Sequence, residues 1–185
     1  MFLGADGAGK STLIRAVVAT LTAKGRSVAL FHFRPSVRSR PPVTRPYLKD
    51  PHPLPVSLAK VLWWLTEYNT WALWVSLRPK APEIVLFDRG IVDVMFDPRR
   101  YRLPELFRRL NVMLFLVVRP SVVFLLNTTA GELQRRKPEV TSEEADRQCA
   151  AYARRPNWST RVVSLDGGQP PDALARQALD ILMPG

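Results

Sequence analysis

The chain has 185 residues, 46% of them hydrophobic and 23% charged. That length fits one domain with a sizeable core, and that mixture excludes a disordered or collagen-like chain. The formal net charge is +11, with Arg well ahead of Lys, so the surface attracts anions such as nucleotides, nucleic acid or acidic lipid. Cys149 stands alone, which excludes an intrachain disulfide and makes a reducing, cytoplasmic interior the expectation.

In chain order, the first element is the short apolar run Met1-Phe2-Leu3. A central strand usually runs five or six residues, so a fuller strand is expected to begin upstream of Met1. Gly4-Ala5-Asp6-Gly7-Ala8-Gly9-Lys10-Ser11 follows immediately, which leaves no visible signal peptide. Glycines at these positions let successive backbone N–H groups turn toward one anion, and the helix that follows adds its positive N-terminus. In such a loop the lysine, Lys10, reaches the β- and γ-phosphates of a nucleoside triphosphate, and the hydroxyl of Ser11 ligates Mg2+. The expected donor contacts are therefore Gly4, Asp6, Gly7, Ala8, Gly9, Lys10, Ser11 and Thr12.

The first helix is predicted from Lys10-Ser11 to near Gly25, and the second strand from Ser27 to Phe33. A long Pro- and Arg-rich loop runs from Arg34 to about Pro55, a length that in a compact domain signals function or motion. Leu58 to Leu77 approaches the length of a membrane span, but Lys60, Glu67 and Asn69 argue against one. It reads as a helix whose Trp63, Trp64, Trp71 and Trp74 form core or a homodimer surface rather than a base-stacking platform. Glu83 to Phe87 is a buried strand ending at Asp88-Arg89, at the carboxyl edge where open α/β sheets bind ligands. Asp88 can hold Mg2+ through water or accept the acceptor's proton, and Arg89 can clamp phosphoryl oxygens. Leu103 to Leu114 is predicted helical. Ser121 to Leu126 is a fourth strand, separated from the preceding apolar run by Arg119-Pro120. Thr141 with Glu144 forms a capping-box pattern for a helix to about Arg154. Thr160 to Leu165 is a fifth strand, and Pro171 to Leu182 a closing helix.

The phosphate loop with Asp6 at its third position, together with Asp88-Arg89, resembles the thymidylate kinase family. Phe33-Arg34-Pro35 is similar in placement to that family's Arg-Glu-Pro motif, without the Glu, and Leu133 to Arg155 resembles its basic lid and following helix. His32 to Pro35 and Asp97-Pro98-Arg99-Arg100-Tyr101-Arg102 resemble a bacterial thymidylate-kinase-like group. Where the family carries an aromatic residue directly after Asp-Arg, this chain has Gly90-Ile91.

The resemblance implies a three-layer α/β P-loop kinase fold with about five parallel strands and a short lid, forming one domain over 1–185. Its acceptor region would span about 34–77 and its lid about 133–155. It implies ATP and Mg2+ as cofactors and a small nucleotide as partner. Asp6 would contact the acceptor sugar, and Arg34 and Arg89 would hold the acceptor phosphate. Arg135, Arg136 and Lys137 would close over the donor, Arg136 as the catalytic finger beside Lys10, Asp88 and Arg89. The leading expectation is γ-phosphoryl transfer to a nucleoside monophosphate, dTMP first. The alternatives are a nucleoside or sugar acceptor, or a degenerate nucleotide-binding protein. Nucleic-acid binding is not expected, because no zinc or RNA-binding signature accompanies the charge. The Asp97–Arg102 run reads equally as an anion reader or as a loop capping the sheet edge.

Overall fold

The structure, a computed structural model, describes residues 1–32, 49–138, 140–154 and 160–183. They form two compact units. The first comprises Met1–Phe31, Pro82–Asp88 and Pro120–Gly185, and the second His32–Ala81 and Arg89–Arg119.

The first unit carries a five-stranded sheet of order β2-β3-β1-β4-β5. The strands are β1 (Phe2–Gly4), β2 (Val28–His32), β3 (Ile84–Asp88), β4 (Val122–Asn127) and β5 (Arg161–Asp166). β1 pairs in parallel with β3 and β4, and β4 with β5. Among the described residues, the helices of this unit are α1 (Lys10–Ala23), α3 (Ala130–Arg136), α4 (Ser142–Ala153) and α5 (Pro171–Leu182). The expected α/β class and parallel sheet are therefore present. β1 leads outward to β2 on one side, and β4 leads to β5 on the other. The winding thus reverses between β1 and β4, and the loop leaving β1 opens at that switch point.

Short as it is, β1 is well anchored. Phe2 and Leu3 are wholly buried, Phe2 stacks on Phe124 with centroids 4.9 Å apart, and the Met1 carbonyl accepts from Phe124 N. In α1 the buried Leu13, Val17 and Leu21 recur every four residues, which turns one helical face inward. Gly25, at φ +73°, ends this helix: its N–H bonds Thr22 O while Arg26 N bonds Leu21 O, a closure that favours a residue without Cβ.

The second unit is built differently. Its long helix among the described residues, α2 (Leu54–Ser76), starts four residues earlier than expected, because Pro55 fits the first helical turn, where a missing N–H costs nothing. Trp64 is buried, Trp71 is half-buried, and Trp63 and Trp74 are 57% and 53% exposed. The aromatic residues thus divide between core and surface. The expected helix from Leu103 to Leu114 is not formed. Two short 3-10 turns, Glu105–Arg109 and Val112–Phe115, take its place after the turns Ile91–Met95 and Pro98–Tyr101. An unbroken helix from Phe107 would bring Leu110 and Leu114 inward. The extended backbone at Leu110 instead buries Val112 and Met113 and leaves Leu114 exposed. Tertiary burial outweighs helical periodicity here.

Candidate active site

The phosphate loop adopts the backbone its glycines permit. Gly4, Gly7 and Gly9 have φ of +152°, +94° and +96°, a region L-residues rarely occupy. At Gly4 there is a second reason for glycine, since a Cβ there would lie 2.7 Å from the Leu126 carbonyl oxygen of the neighbouring strand. Gly9 is the N-cap of α1, so Lys10 opens the helix, with Ser11 and Thr12 exposed in its first turn. Lys10 is buried and curls back over the loop. Its Nζ donates to Gly4 O at 2.9 Å and to Ala5 O at 2.6 Å.

Two contacts that sequence reasoning missed hold this loop. The Asp6 N–H donates to Gln148 Oε1 at 3.1 Å, and Gln148 Nε2 donates to Glu144 Oε1 at 2.8 Å. Glu144 also receives Arg147 at 2.7 and 2.6 Å. Thr141 does cap α4, accepting from Glu144 N at 3.3 Å. Glu144 thus meets the cap through its backbone N–H, and its carboxylate serves Gln148 and Arg147. Nothing in the sequence marks Gln148, a mid-helix polar residue like many others.

The three basic residues expected to close over the donor, Arg135, Arg136 and Lys137, are placed differently. Arg136 donates to Ala8 O in the phosphate loop (3.3 Å) and to Gly167 O after β5 (3.0 Å), so one guanidinium links two loops at strand carboxyl ends. Lys137 lies beside Gly7, where a Cβ would meet its Cγ at 3.2 Å. Arg135 is exposed and pairs with Glu132 at 3.6 Å. The Gly167-Gly168 turn was a readable signal, a glycine pair at a strand end. A Cβ on Gly167 would lie 2.8 Å from Asn127 O.

Asp88 is the last residue of β3, is buried, and pairs in register with Phe2 of β1. The Ser11 hydroxyl and the Asp88 carboxylate are hard oxygen donors suited to Mg2+, which keeps few protein ligands and takes the rest from phosphate and water. Among the described residues no three His, Cys, Asp or Glu gather into a metal cluster.

Arg89 begins the second stretch of the second unit in a left-handed conformation, φ +66°. It is buried and donates to Asp93 Oδ2 at 2.7 Å, and Tyr101 Oη donates to the same oxygen at 2.7 Å. Arg34, expected to share the acceptor phosphate with Arg89, lies outside the described residues. Gly90 is extended and Ile91 is wholly buried, so the residues after Asp-Arg serve the core here.

The Asp97–Arg102 run forms a capped turn. Asp97 accepts from Arg100 N, Arg102 adopts φ +55°, and its Nε donates to Asp50 O at 3.1 Å. Lys60 donates to Tyr101 O at 3.0 Å and sits 5.0 Å over the Trp64 ring. Burial, reinforced by Arg102, brings the Lys60 ammonium down to about 8. His52 is likewise shifted down, by burial first and then by Lys60 and Arg102.

The sheet and the glycine loop at its switch point are those of a P-loop kinase. Solved structures that share this fold include two of a single kinase. The deoxyadenosine kinase from M. mycoides with bound dATP is 16% identical, covers 98% of this chain and 97% of its own, and has a TM-score of 0.62. The same kinase with the products dCMP and a flexible dCDP is 15% identical over 98% and 96%, with a TM-score of 0.61. No curated protein sequence matches the chain. The Thymidylate kinase family pattern matches residues 2–157, so the chain belongs to the thymidylate kinase family. No described helix is long and apolar enough to cross a membrane.

Proposed function

We propose that this protein transfers the γ-phosphoryl group of ATP to a nucleoside monophosphate, with dTMP the first acceptor to test. The observation that carries this reading is the phosphate loop. Three glycines at positive φ sit at the switch point, and Lys10 is tethered to the first two loop carbonyls at the start of α1. Lys10 would exchange those carbonyls for β- and γ-phosphate oxygens, and the α1 N-terminus would receive the same charge. Ser11 and Asp88 would hold Mg2+, whose chemistry is to neutralise charge on the transferring phosphates. Arg136 would turn from Ala8 O and Gly167 O toward the transferring group and offset its developing charge.

Asp6 is the acceptor-side member of the loop. A carboxylate about 4 Å from a phosphate charge is repelled by roughly 4 kcal/mol at an effective dielectric of 20, which favours contact with an acceptor hydroxyl instead. Arg89, with Arg34, would hold the acceptor phosphate. Asp6→Ala should lower turnover and spare ATP binding, and Arg89→Ala should slow transfer far more. Steady-state kinetics on both variants, with ATP affinity by calorimetry, tests this. Loss of ATP binding in Asp6→Ala would contradict the assignment.

A nucleoside acceptor is the second reading, favoured by the deoxyadenosine kinase whose fold this chain shares. The exposed apolar face of α2, with Leu62, Trp63, Leu73 and Trp74, and Leu77 just past its end, supports a homodimer.

A further inference from the structure

The Asp97–Arg102 turn sends its tyrosine inward, not toward a ligand. Tyr101 is 8% exposed, Arg89 is 4% and Asp93 is 0%. Both donors reach one oxygen, Asp93 Oδ2, each at 2.7 Å. Behind Tyr101 stands α2: Trp64 meets its ring edge-on with centroids 5.6 Å apart, and Lys60 holds its carbonyl at 3.0 Å. A continuous chain thus runs from α2 through Tyr101 and Asp93 to the Arg89 guanidinium.

A buried ion pair is weak evidence for a stability role, because well-packed apolar residues of equal volume often serve as well or better. What the pair does supply is orientation. Arg89 starts from a strained left-handed backbone, and one of its Nη groups is fixed on Asp93. Asp93 in turn accepts a second short bond that keeps its carboxylate from rotating away. Burial first, then the Asp93 carboxylate, keeps the Tyr101 hydroxyl protonated far above the usual tyrosine range, so it remains a donor.

We propose that Tyr101 is a positioning residue for the phosphoryl-transfer reaction: through Asp93 it fixes the Arg89 guanidinium, and the Asp97–Arg102 turn is the brace that delivers it. This rests on the acceptor-side role of Arg89 proposed above.

Two readouts on the full chain test this. The first is turnover at saturating MgATP for the parent, Tyr101→Phe, Arg89→Ala and the double variant. Tyr101→Phe should lower kcat by about tenfold to a hundredfold in the parent, the range expected of a small misplacement, with the ATP KM unchanged. In the Arg89→Ala background it should change kcat by less than about twofold, because two residues acting through one group are not additive. Equal losses in both backgrounds overturn the proposal. The second readout is the NMR signal of the Arg89 guanidinium. It should be slowly exchanging in the parent and averaged in Tyr101→Phe. An unchanged signal overturns the proposal whether or not any acceptor is known. A parent that turns over no acceptor defeats the kinase reading alone, and the NMR arm still decides the positioning. If Tyr101→Phe fails to fold, Asp93→Asn, which keeps the volume, is read in the same way.

Discussion

The two units hold their buried cationic side chains, Lys10 and Arg89, by different means. The first uses backbone. Its glycines aim N–H groups, its helix end supplies partial charge, and Lys10 is tethered by two main-chain carbonyls. The second uses side chains. Arg89, Asp93 and Tyr101 form a buried network inside a run of 3-10 turns. Backbone devices announce themselves by glycine spacing. Side-chain networks depend on which turns bring which residues together, and residue identity alone does not reveal that.

This contrast can be broken from either side. The largest effect is expected at Lys10. Lys10→Ala should abolish measurable turnover and weaken MgATP binding at least about a hundredfold, a loss typical of removing a charge from a phosphate site. Calorimetry measures it, and equal affinity in mutant and parent would refute the donor assignment. Next comes Arg136→Ala, which should lower kcat by about 100-fold. ATP affinity should fall less, since the loop keeps its Gln148 anchor.

Gly4→Ala probes the backbone device as a matter of stability. The added Cβ meets a main-chain oxygen that cannot step aside, at a φ unsuited to alanine. A cost of about 1–3 kcal/mol is expected for the strain alone, seen as a lower melting temperature. The smallest effect belongs to Lys60. Burial, then Arg102, lowers its pKa from the ordinary 10.5 to about 8, so the folded state disfavours the ammonium. Its contribution to stability is fully present above 10.5 and is lost as pH falls through 8. The parent should therefore gain stability relative to Lys60→Met between pH 8 and pH 10.5. Parallel melting curves for the two proteins would show the ammonium to be fully solvated.

The sheet was legible in the sequence because buried parallel strands read as apolar runs. Ile84–Asp88 and Val122–Asn127 fall within a residue of their expected positions. The closing helix, opened by Pro171, matches at both ends. The stretch from Leu103 to Leu114 did not, since its apolar spacing suits a helix while the fold buries Val112 and Met113. Among the candidate site residues, the glycine loop and the Asp88-Arg89 pair at the end of a strand stand out in the sequence by spacing alone. Gln148, Asp93 and the inward role of Tyr101 do not, because each matters through a partner distant in sequence or through a turn no pattern specified.

The most direct test of the account is an acceptor panel with purified protein and MgATP, monitored by ADP formation. The panel pairs each nucleoside monophosphate with its nucleoside, alongside a reaction lacking acceptor. The account predicts ADP production above background with at least one monophosphate, dTMP being the first candidate. It also predicts that this production is lost in Lys10→Ala. No monophosphate raising ADP above the acceptor-free rate would contradict it.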